Sequence, residues 1–299
     1  MVLNENYKMA NGMEIPKLGL GTWMIEGEAC AQAIRDAAKL GYRHFDTAHD
    51  YMNQKEVGEG IRTCGIPREE LFISTKISAF AKSYEAAKKD IEEDLVDLGI
   101  GYIDLLLIHA PEPWTDFRGE SHYFTENLDA WRAMEEFVDA GKIKAIGVAN
   151  FLPEDLDNII RNCRIKPVVN QVLMHIGNTP FDVLEYCNEN EIVIQAYSPI
   201  AHGEALKSTA IRNMADKYHV SVSQLCIRYC LELGTVPIPK TANPEHMKNN
   251  ADVDFVISSE DLETLKKLPK IENYGDYSLF PVYGGQMDSQ GNCTPGKPY

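Results

Sequence analysis

The sequence predicts a single α/β domain of the (β/α)8 barrel class, and three observations support this expectation. Short apolar runs rich in β-branched residues alternate with longer segments of helical period, which is typical of βα units around a parallel sheet. Eight such pairs can be counted along the 299 residues, a length at which a barrel commonly forms one unit. No low-complexity linker divides the chain. We therefore expect one barrel domain over residues 1–299.

The apolar runs give the expected strands, which in chain order are 17–21, 42–46, 71–76, 103–109, 145–150, 168–171, 193–198 and 235–239. Between them, apolar residues recur at intervals of three and four, which predicts helices such as 28–40, 84–98 and 127–140. Gly41 and Gly141 follow two of these helices, and Pro153 opens the helix after the fifth strand.

The two ends of the chain fall outside the repeating pattern. Asn11 and Gly12 form a turn signal between two short runs, which predicts a β-hairpin within residues 1–16 that plugs one end of the barrel. From Lys270 the helical periodicity stops, and aromatic, glycine and polar residues take over. Residues 270–299 are therefore expected to form a tail or lid rather than a further βα unit.

The composition excludes several classes of protein. With 29 Lys and Arg against 45 Asp and Glu, the net charge is −16, which disfavours nucleic acid and anionic membranes as partners. No apolar run approaches the 20 or so residues of a membrane span. Seven scattered cysteines without a CxxC pair indicate reduced thiols, with Cys226 and Cys230 expected in the core. We therefore expect a cytoplasmic protein.

Polar residues at the ends of three consecutive strands form the candidate catalytic group. Asp46 ends the second strand with Tyr51 five residues later, Lys76 ends the third strand and His109 ends the fourth. The active sites of such barrels lie at this edge. A buried lysine needs a partner, which Asp46 supplies. The cation is then expected to lower the pKa of Tyr51 so that it exchanges a proton near neutral pH, while His109 orients a carbonyl oxygen.

Other classes of function remain open on these residues alone. A metal-dependent hydrolase could use the histidines and aspartates near the strand ends, although the first strand lacks the paired histidines common in such enzymes; their positions are His44, Asp46, His49, Asp50, His109 and His175. A Schiff-base aldolase could use Lys76. A cofactor-binding sensor or structural subunit without turnover is a third alternative. We expect no metal site.

Eight runs in the same order as the strands carry a resemblance to a known family. These runs are Leu18-Gly19-Leu20-Gly21-Thr22-Trp23, Phe45-Asp46-Thr47-Ala48 with Tyr51, Leu71-Phe72-Ile73-Ser74-Thr75-Lys76, Leu106-Leu107-Ile108-His109, Gly147-Val148-Ala149-Asn150-Phe151, Asn170-Gln171-Val172, Ala196-Tyr197-Ser198-Pro199 and Ile238-Pro239-Lys240-Thr241. Together they resemble the aldo-keto reductase superfamily over nearly the whole chain. The resemblance implies NADPH-dependent reduction of an aldehyde or ketone by a protein that is commonly a monomer. It gives Tyr51 the role of general acid, with Lys76 and Asp46 tuning it and His109 positioning the carbonyl.

The same resemblance implies a set of cofactor contacts. Tyr197 would stack on the nicotinamide ring, and Asn150 and Gln171 would hold its carboxamide. The first strand would contribute Gly21, Thr22 and Trp23. The pyrophosphate would lie against Ser198, Pro199 and Ile200. The adenosine end would meet Lys240, Thr241, His246, Asn249 and Asn250, where a helix opening near Pro244 favours an anion. No GxGxxG follows a strand, which argues against a Rossmann site.

The sequence departs from the family pattern at cofactor positions. Ala149 replaces the usual serine before Asn150, which removes one hydrogen bond to the carboxamide, worth about 0.5–1.5 kcal/mol. His246 stands where NADPH-specific members usually carry an arginine that grips the 2′-phosphate. Lys240 remains. We therefore expect NADP(H), with NAD(H) or dual use open.

The expected substrate pocket also departs from the family. Ser78 and Ala110 stand where aldose-reductase-like members carry tryptophans, whereas Trp23 is kept. The predicted small-molecule site is Trp23, His49, Ser78, Ala110 and Trp114. Aromatic residues in the loop 111–125 and in the tail are expected to refill the space as a lid, at Trp114, Phe117, Tyr123, Tyr274, Tyr277, Phe280 and Tyr283.

Overall fold

A computed structural model describes residues 1–296, and its central feature is a ring of eight parallel strands. A hairpin of β1 (Asn6–Lys8) and β2 (Glu14–Pro16) precedes the ring. The ring strands are β3 (Leu20–Gly21), β4 (His44–Asp46), β5 (Phe72–Ile77), β6 (Ile103–Ile108), β7 (Ile143–Ala149), β8 (Val169–Leu173), β9 (Val193–Tyr197) and β10 (Val236–Pro237). Neighbours in sequence are neighbours in the sheet from β3 to β10.

Backbone hydrogen bonds close this sheet into a barrel. The N–H of Gly19 donates to the carbonyl of Pro237 at 3.1 Å, and the N–H of Gly21 donates to that of Pro239 at 3.1 Å. Gly21 and Lys240 also form a parallel bridge. The first and last strands therefore pair with each other, and the predicted (β/α)8 fold is confirmed.

Helices cover the outside of the barrel and connect its strands. Those in the described residues are α1 (Gly27–Lys39), α2 (Gln54–Thr63), α3 (Tyr84–Leu98), α4 (Phe124–Asp139), α5 (Pro153–Asn162), α6 (Phe181–Glu189), α7 (Thr209–Lys217), α8 (Val222–Glu232), α9 (Pro244–Ala251) and α10 (Ser259–Lys266). Their ends follow local chemistry, as in α3, where the Ser83 hydroxyl accepts the N–H of Ala86 and Gly99 adopts the left-handed conformation after the last turn. No helix among residues 1–296 has the length and apolarity needed to cross a bilayer.

Successive side chains of a strand point alternately outward, into a core beneath the helices, and inward, into the interior of the barrel. On β6, Leu106 and Ile108 pack with the helices, whereas Leu105 and Leu107 belong to a second cluster inside the barrel. Because strand side chains alternate with period two, His109 continues the inward row at the carboxyl end of β6. The same alternation directs Asp46 and Lys76 inward at the ends of β4 and β5. The interior is therefore apolar at one end and polar at the other.

The hairpin and the tail cover opposite ends of the barrel. Met9 and Ile15 of the hairpin are buried against the apolar interior cluster, at the position expected of a plug. After α10, the tail contains two single 3-10 turns, Gly275–Leu279 and Pro281–Tyr283, and a small hairpin of β11 (Gln286–Met287) and β12 (Cys293–Thr294) that was not predicted. Residues 297–299 of the predicted tail lie outside the described residues.

The sequence-based boundaries differ from the observed ones by at most three residues. The first strand was expected from Lys17 but pairs only from Leu20, and helix α4 begins at Phe124 rather than at Asn127. Helix α3 has the predicted bounds, and Pro153 and Pro244 open α5 and α9 as expected. Cys226 and Cys230 are fully buried in the core, as predicted.

Helix α2 crosses the end of α3 so closely that Gly58 has no room for a side chain. A Cβ atom at Gly58 would lie on the carbonyl oxygen of Leu98, which is backbone and cannot rotate away. We expect Gly58→Ala to force the two helices apart and lower the free energy of unfolding by roughly 1–3 kcal/mol, measured by urea denaturation. Glu59→Ala is the matched control, because Glu59 is exposed on the same helix, and should stay within about 0.5 kcal/mol of the parent. Equal stability of both variants would contradict the close approach.

Candidate active site

A buried ion pair lies at the polar end of the barrel. The Lys76 Nζ donates to Asp46 Oδ2 at 2.7 Å and to the backbone carbonyl of Thr47 at 2.7 Å. The two side chains are only 1% and 2% exposed. Burial lowers the pKa of Lys76, and the nearby Asp46 carboxylate opposes that shift. The predicted pairing is therefore present, with both partners withdrawn from solvent.

The other oxygen of Asp46 joins a hydrogen-bonded network inside the barrel. Asp46 Oδ1 accepts from Ser74 Oγ at 2.8 Å and from Gln171 Nε2 at 2.9 Å. Gln171 Nε2 also lies 3.0 Å from Gln195 Oε1, and Gln195 Nε2 donates to His44 Nε2 at 3.1 Å. Burial lowers the pKa of His44 to about 4, so its ring is neutral near pH 7. The Asp46 carboxylate has lost its contact with water, and the network replaces that contact with hydrogen bonds from uncharged donors.

Tyr51 lies on the cavity side of the ion pair. It ends a 3-10 turn, His49–Tyr51, directly after β4, and its hydroxyl lies 3.4 Å from Lys76 Nζ. Burial raises the pKa of Tyr51 well above its ordinary value, and the negative charge of Asp46 adds to the shift. The expected lowering of this pKa by Lys76 is outweighed in this structure, because burial of the phenol is the largest effect and it raises the pKa. The phenol is therefore a protonated group near neutral pH.

His109 faces Tyr51 across the mouth of the barrel, with ring centroids 5.7 Å apart. Its Nδ1 lies 3.2 Å from Asp50 Oδ2, and the Trp114 ring packs edge-on against it at 4.9 Å. Burial lowers the pKa of His109, although Asp50 opposes the shift, so the imidazole is neutral. An ionised Asp50 can only accept, which places the proton on Nδ1. Nε2, which has no protein partner among residues 1–296, is the nitrogen available to a ligand.

The four predicted catalytic residues therefore meet at one place. Asp46, Tyr51 and His109 line a cavity of about 890 Å³, and Lys76 lies behind Tyr51. The cavity extends from these residues across the strand ends to the loop after β10. Its length and mixed lining suit a ligand much larger than a simple aldehyde.

The residues expected at a nicotinamide ring line the middle of this cavity. Gln171 uses its Nε2 within the barrel network, while its Oε1 has no hydrogen-bond partner in the described residues. Asn150 donates from Nδ2 to the carbonyl of His109 at 2.9 Å and accepts the Tyr197 hydroxyl at 2.8 Å. Tyr197 is thereby fixed beside the carboxamide positions. Gly21, Thr22 and Trp23 line the same cavity at the end of β3.

The residues expected at the phosphates and adenosine line its other half. These are Ser198, Pro199 and Ile200 after β9, and Lys240, Thr241, His246, Asn249 and Asn250 after β10. Lys240 is exposed and makes no hydrogen bond or ion pair with a described residue. Asn249 is engaged by Ser221, whose Oγ accepts from its Nδ2 at 3.0 Å. The structure therefore brings all fourteen predicted cofactor positions to one cavity.

Only some of the predicted substrate-binding residues line the cavity. Trp23 and Trp114 line the cavity. His49 does not, because its ring turns outward and Nδ1 lies 2.7 Å from Asp94 on α3. Ser78 and Ala110 are buried behind the loops and are not among the described lining residues, so their small size does not open the pocket directly. Asp50, which the sequence reasoning did not place in the pocket, lines it instead.

Tail aromatics cover the mouth, in the position expected of a lid. Trp23 packs against Tyr277, Phe280 and Tyr283 with ring centroids 5.9, 5.1 and 6.3 Å away. The Tyr283 hydroxyl lies 2.8 Å from Ser198 Oγ and 2.6 Å from His202 Nε2, which ties the tail to the loop after β9. Tyr274 instead lies deeper, with its hydroxyl 2.9 Å from His175 Nε2.

The histidines that a metal-dependent hydrolase would use do not converge. His44 lies inside the barrel network, His175 is bonded to Tyr274, and His49 faces α3. Outside the cavity, His49 Nε2 lies 3.8 Å from Asp90 Oδ1 and 4.0 Å from Glu93 Oε2. This group is turned away from Tyr51 and Lys76. The arrangement at the mouth therefore favours proton transfer over metal-assisted hydrolysis.

Sequence reasoning missed the supporting residues Ser74, Gln195 and His202, and it considered Asp50 only as a possible metal ligand. Period two along the strands could have found Ser74 and Gln195, because they precede Lys76 and Tyr197 by two positions and so share the inward row. No comparable period marks His202 or sets the direction of the Asp50 side chain, because both residues lie on irregular turns.

Comparisons with known proteins agree with this geometry. The glyoxal reductase of Bacillus subtilis is 38% identical over 275 residues, covering 91% of this chain and 96% of that protein. The 9,11-endoperoxide prostaglandin H2 reductase of Trypanosoma cruzi is 36% identical, covering 91% and 95%. A crystal structure of an aldo-keto reductase of the silkworm Bombyx mori complexed with NADPH superposes with a TM-score of 0.81 at 32% identity, covering 89% of this chain and 88% of that one.

The model of the Aldo/keto reductase family matches residues 17–270, which span the barrel from the first strand to the end of the helical part. The matched region contains all four residues of the candidate catalytic group and every predicted cofactor position. The chain is an oxidoreductase that belongs to the aldo/keto reductase family.

Proposed function

We propose that this protein reduces an aldehyde or ketone to an alcohol with NADP(H), and that Tyr51 donates the proton. The observation that carries the proposal is the contact of the Tyr51 hydroxyl with Lys76 Nζ at 3.4 Å, where Lys76 is itself fixed to Asp46. The phenol is the end of a buried polar chain that opens into a cavity of cofactor size. We further propose a monomeric, cytoplasmic enzyme.

The residues present fit a nicotinamide dinucleotide. The free Oε1 of Gln171 can accept a carboxamide N–H, and Tyr197 presents an aromatic ring beside it. At the other end, the Asn243 side chain caps α9, and Lys240, whose side chain pairs with no residue of 1–296, lies before the start of that helix. A cation near a helix N-terminus is suited to an anionic phosphate. A bound cofactor would supply the hydride for the reduction.

Proton transfer is the part of the reaction that these residues perform. A carbonyl oxygen placed at the Tyr51 hydroxyl accepts a hydrogen bond, and charge that develops on the oxygen draws the phenolic proton. Lys76, 3.4 Å away, stabilises the phenolate that remains. Asp46 keeps Lys76 in place without competing for the substrate.

His109 and the aromatic walls orient the substrate. The Nε2 of His109 accepts a hydrogen bond, so it suits the hydroxyl of the product alcohol rather than the carbonyl oxygen of the substrate. Trp23, Trp114 and the tail aromatics surround the reacting group with apolar surface. By excluding water, that surface strengthens the electrostatic effect of Lys76. We propose that the tail acts as the lid of this pocket.

Removing the phenolic hydroxyl tests the assignment of the proton donor. We expect Tyr51→Phe to lower kcat by about two to four orders of magnitude while NADPH affinity stays nearly the same. Steady-state kinetics on a neutral aldehyde and titration of NADPH fluorescence measure the two effects. Tyr84→Phe is the control, because Tyr84 bonds Glu136 on the surface. A Tyr51→Phe enzyme within a few-fold of the parent would refute this role.

The pH profile provides an independent check. Tyr51 can donate a proton only while its hydroxyl is protonated. Because burial raises the pKa of Tyr51, we expect reductase activity to be lost at a higher pH than an ordinary phenol would give. We expect kcat/KM for aldehyde reduction to remain level through neutral pH and to fall only at a pH above the range in which an ordinary phenol loses its proton. A fall in kcat/KM centred near pH 7 would show that a group other than Tyr51 limits proton donation.

Lys240 tests the cofactor preference. If it binds the 2′-phosphate, Lys240→Ala should raise KM for NADPH by roughly tenfold and change KM for NADH little, since one charge-assisted bond is lost. Lys248→Ala, an exposed lysine on α9, is the control. A strong preference of the parent enzyme for NADH would refute the choice of NADP(H).

A further inference from the structure

Asp50 is a carboxylate in the substrate end of the cavity that the proposed reaction does not use. It lies in the turn after β4, between His49 and Tyr51. Its Oδ2 accepts from His109 Nδ1 at 3.2 Å and from Trp114 Nε1 at 3.0 Å. Its side chain is 24% exposed, and the residue lines the cavity. Asp50 is therefore held in place from two sides and still faces a ligand.

The carboxylate is ionised. Burial alone would raise the pKa of Asp50, but the hydrogen bond from His109, the charge that His109 gains in acid, and hydrogen bonds from Ser78 and Trp114 outweigh it and hold the pKa below the ordinary range. His109 is neutral, since burial lowers its pKa. Ionised Asp50 therefore has no cationic partner at this end of the cavity.

The surrounding charges do not compensate for Asp50. Asp46 and Lys76 cancel each other at 2.7 Å. Lys240 is the one lysine or arginine among the cavity-lining residues of the described chain, and it follows β10. In the barrel order β10 lies four strands from β6, whose end carries His109, so Lys240 is on the opposite side. Among the described residues that line the substrate end, Asp50 is thus an ionised carboxylate with no lysine or arginine beside it.

We propose that Asp50 determines substrate specificity by disfavouring carbonyl compounds that carry a negative charge, so that the enzyme prefers uncharged or cationic aldehydes and ketones. The inference rests on the proposed function, because it concerns the substrate of the same reaction. Like charges brought together at a site with little water repel strongly, and burial of the walls limits screening by salt. Asp50 is also a positioning residue, since it fixes the Trp114 indole and the proton of His109.

Three benzaldehydes of similar size test the inference on the parent enzyme. They carry a para carboxylate, a para nitro group and a para trimethylammonium group, and kcat/KM is measured for each with NADPH at neutral pH. Because nitro and trimethylammonium groups also activate the carbonyl by withdrawing electrons, each kcat/KM is divided by the rate at which borohydride reduces the same compound. After this correction we expect kcat/KM for the nitro and trimethylammonium compounds to be roughly tenfold or more above that for the carboxylate.

The substitution Asp50→Asn removes the charge and keeps an oxygen that can accept from His109 or Trp114. We expect the ratio of kcat/KM for the carboxylate to that for the nitro compound to rise about tenfold, even if both constants fall because His109 is less well held. The ratio is a readout that a purely structural role would not move. Asp216→Asn is the matched control, because Asp216 is exposed on α7 and its removal changes the net charge equally. That variant should leave the ratio unchanged.

The outcomes separate this inference from the proposed function. Reduction of all three compounds with equal kcat/KM after the borohydride correction, or an unchanged ratio in an active Asp50→Asn enzyme, overturns the role of Asp50 and leaves the reductase intact. Absence of NADPH oxidation with every compound contradicts the proposed function and the inference together. If Asp50→Asn does not fold, the three-compound series on the parent enzyme still decides the matter.

Discussion

The ion pair of Lys76 and Asp46 is the interaction on which the rest of the site depends. Both groups are at least 98% withdrawn from solvent. A charge in such surroundings is tolerated only when it is paired and hydrogen-bonded, and removal of one partner of a buried pair commonly destabilises a protein by about 3–5 kcal/mol. The lysine is satisfied by Asp46 and by a backbone carbonyl, and the aspartate by Ser74 and Gln171. Groups from β4, β5 and β8 thus converge on one pair.

Buried charges must be paired, and the charged pair inside the barrel lies at one end, so the two ends differ in chemistry. At the end closed by the hairpin, the inward rows are apolar, and Met9 and Ile15 complete their packing. At the other end the same rows carry Asp46, Lys76 and other polar groups, which must pair with each other or with a ligand. The fold can therefore vary its loops around the polar end while the apolar end keeps the strands in register.

Charge is distributed unevenly along the cavity of a strongly acidic chain. The net charge of −16 would by itself repel an anionic dinucleotide, yet an unpaired lysine and a helix N-terminus lie at the end where phosphates would bind. The opposite end contains Asp50 without a cationic partner. Under the two proposals made above, one end of the cavity would bind the phosphates of the cofactor, and the other end would repel anionic substrates.

The order of strands, the inward rows and the four candidate catalytic residues follow from the sequence, because the period of two and the strand ends are local features that short-range pattern determines. Tertiary structure alone decided the direction of the side chains in the turn His49–Tyr51. There His49 turns to Asp94, 45 residues away, and Asp50 turns to His109, 59 residues away. The tail contacts with Trp23 and Ser198 likewise join distant parts of the chain. An irregular turn has no fixed period, so its side chains take the direction of whichever partner the finished fold brings within reach.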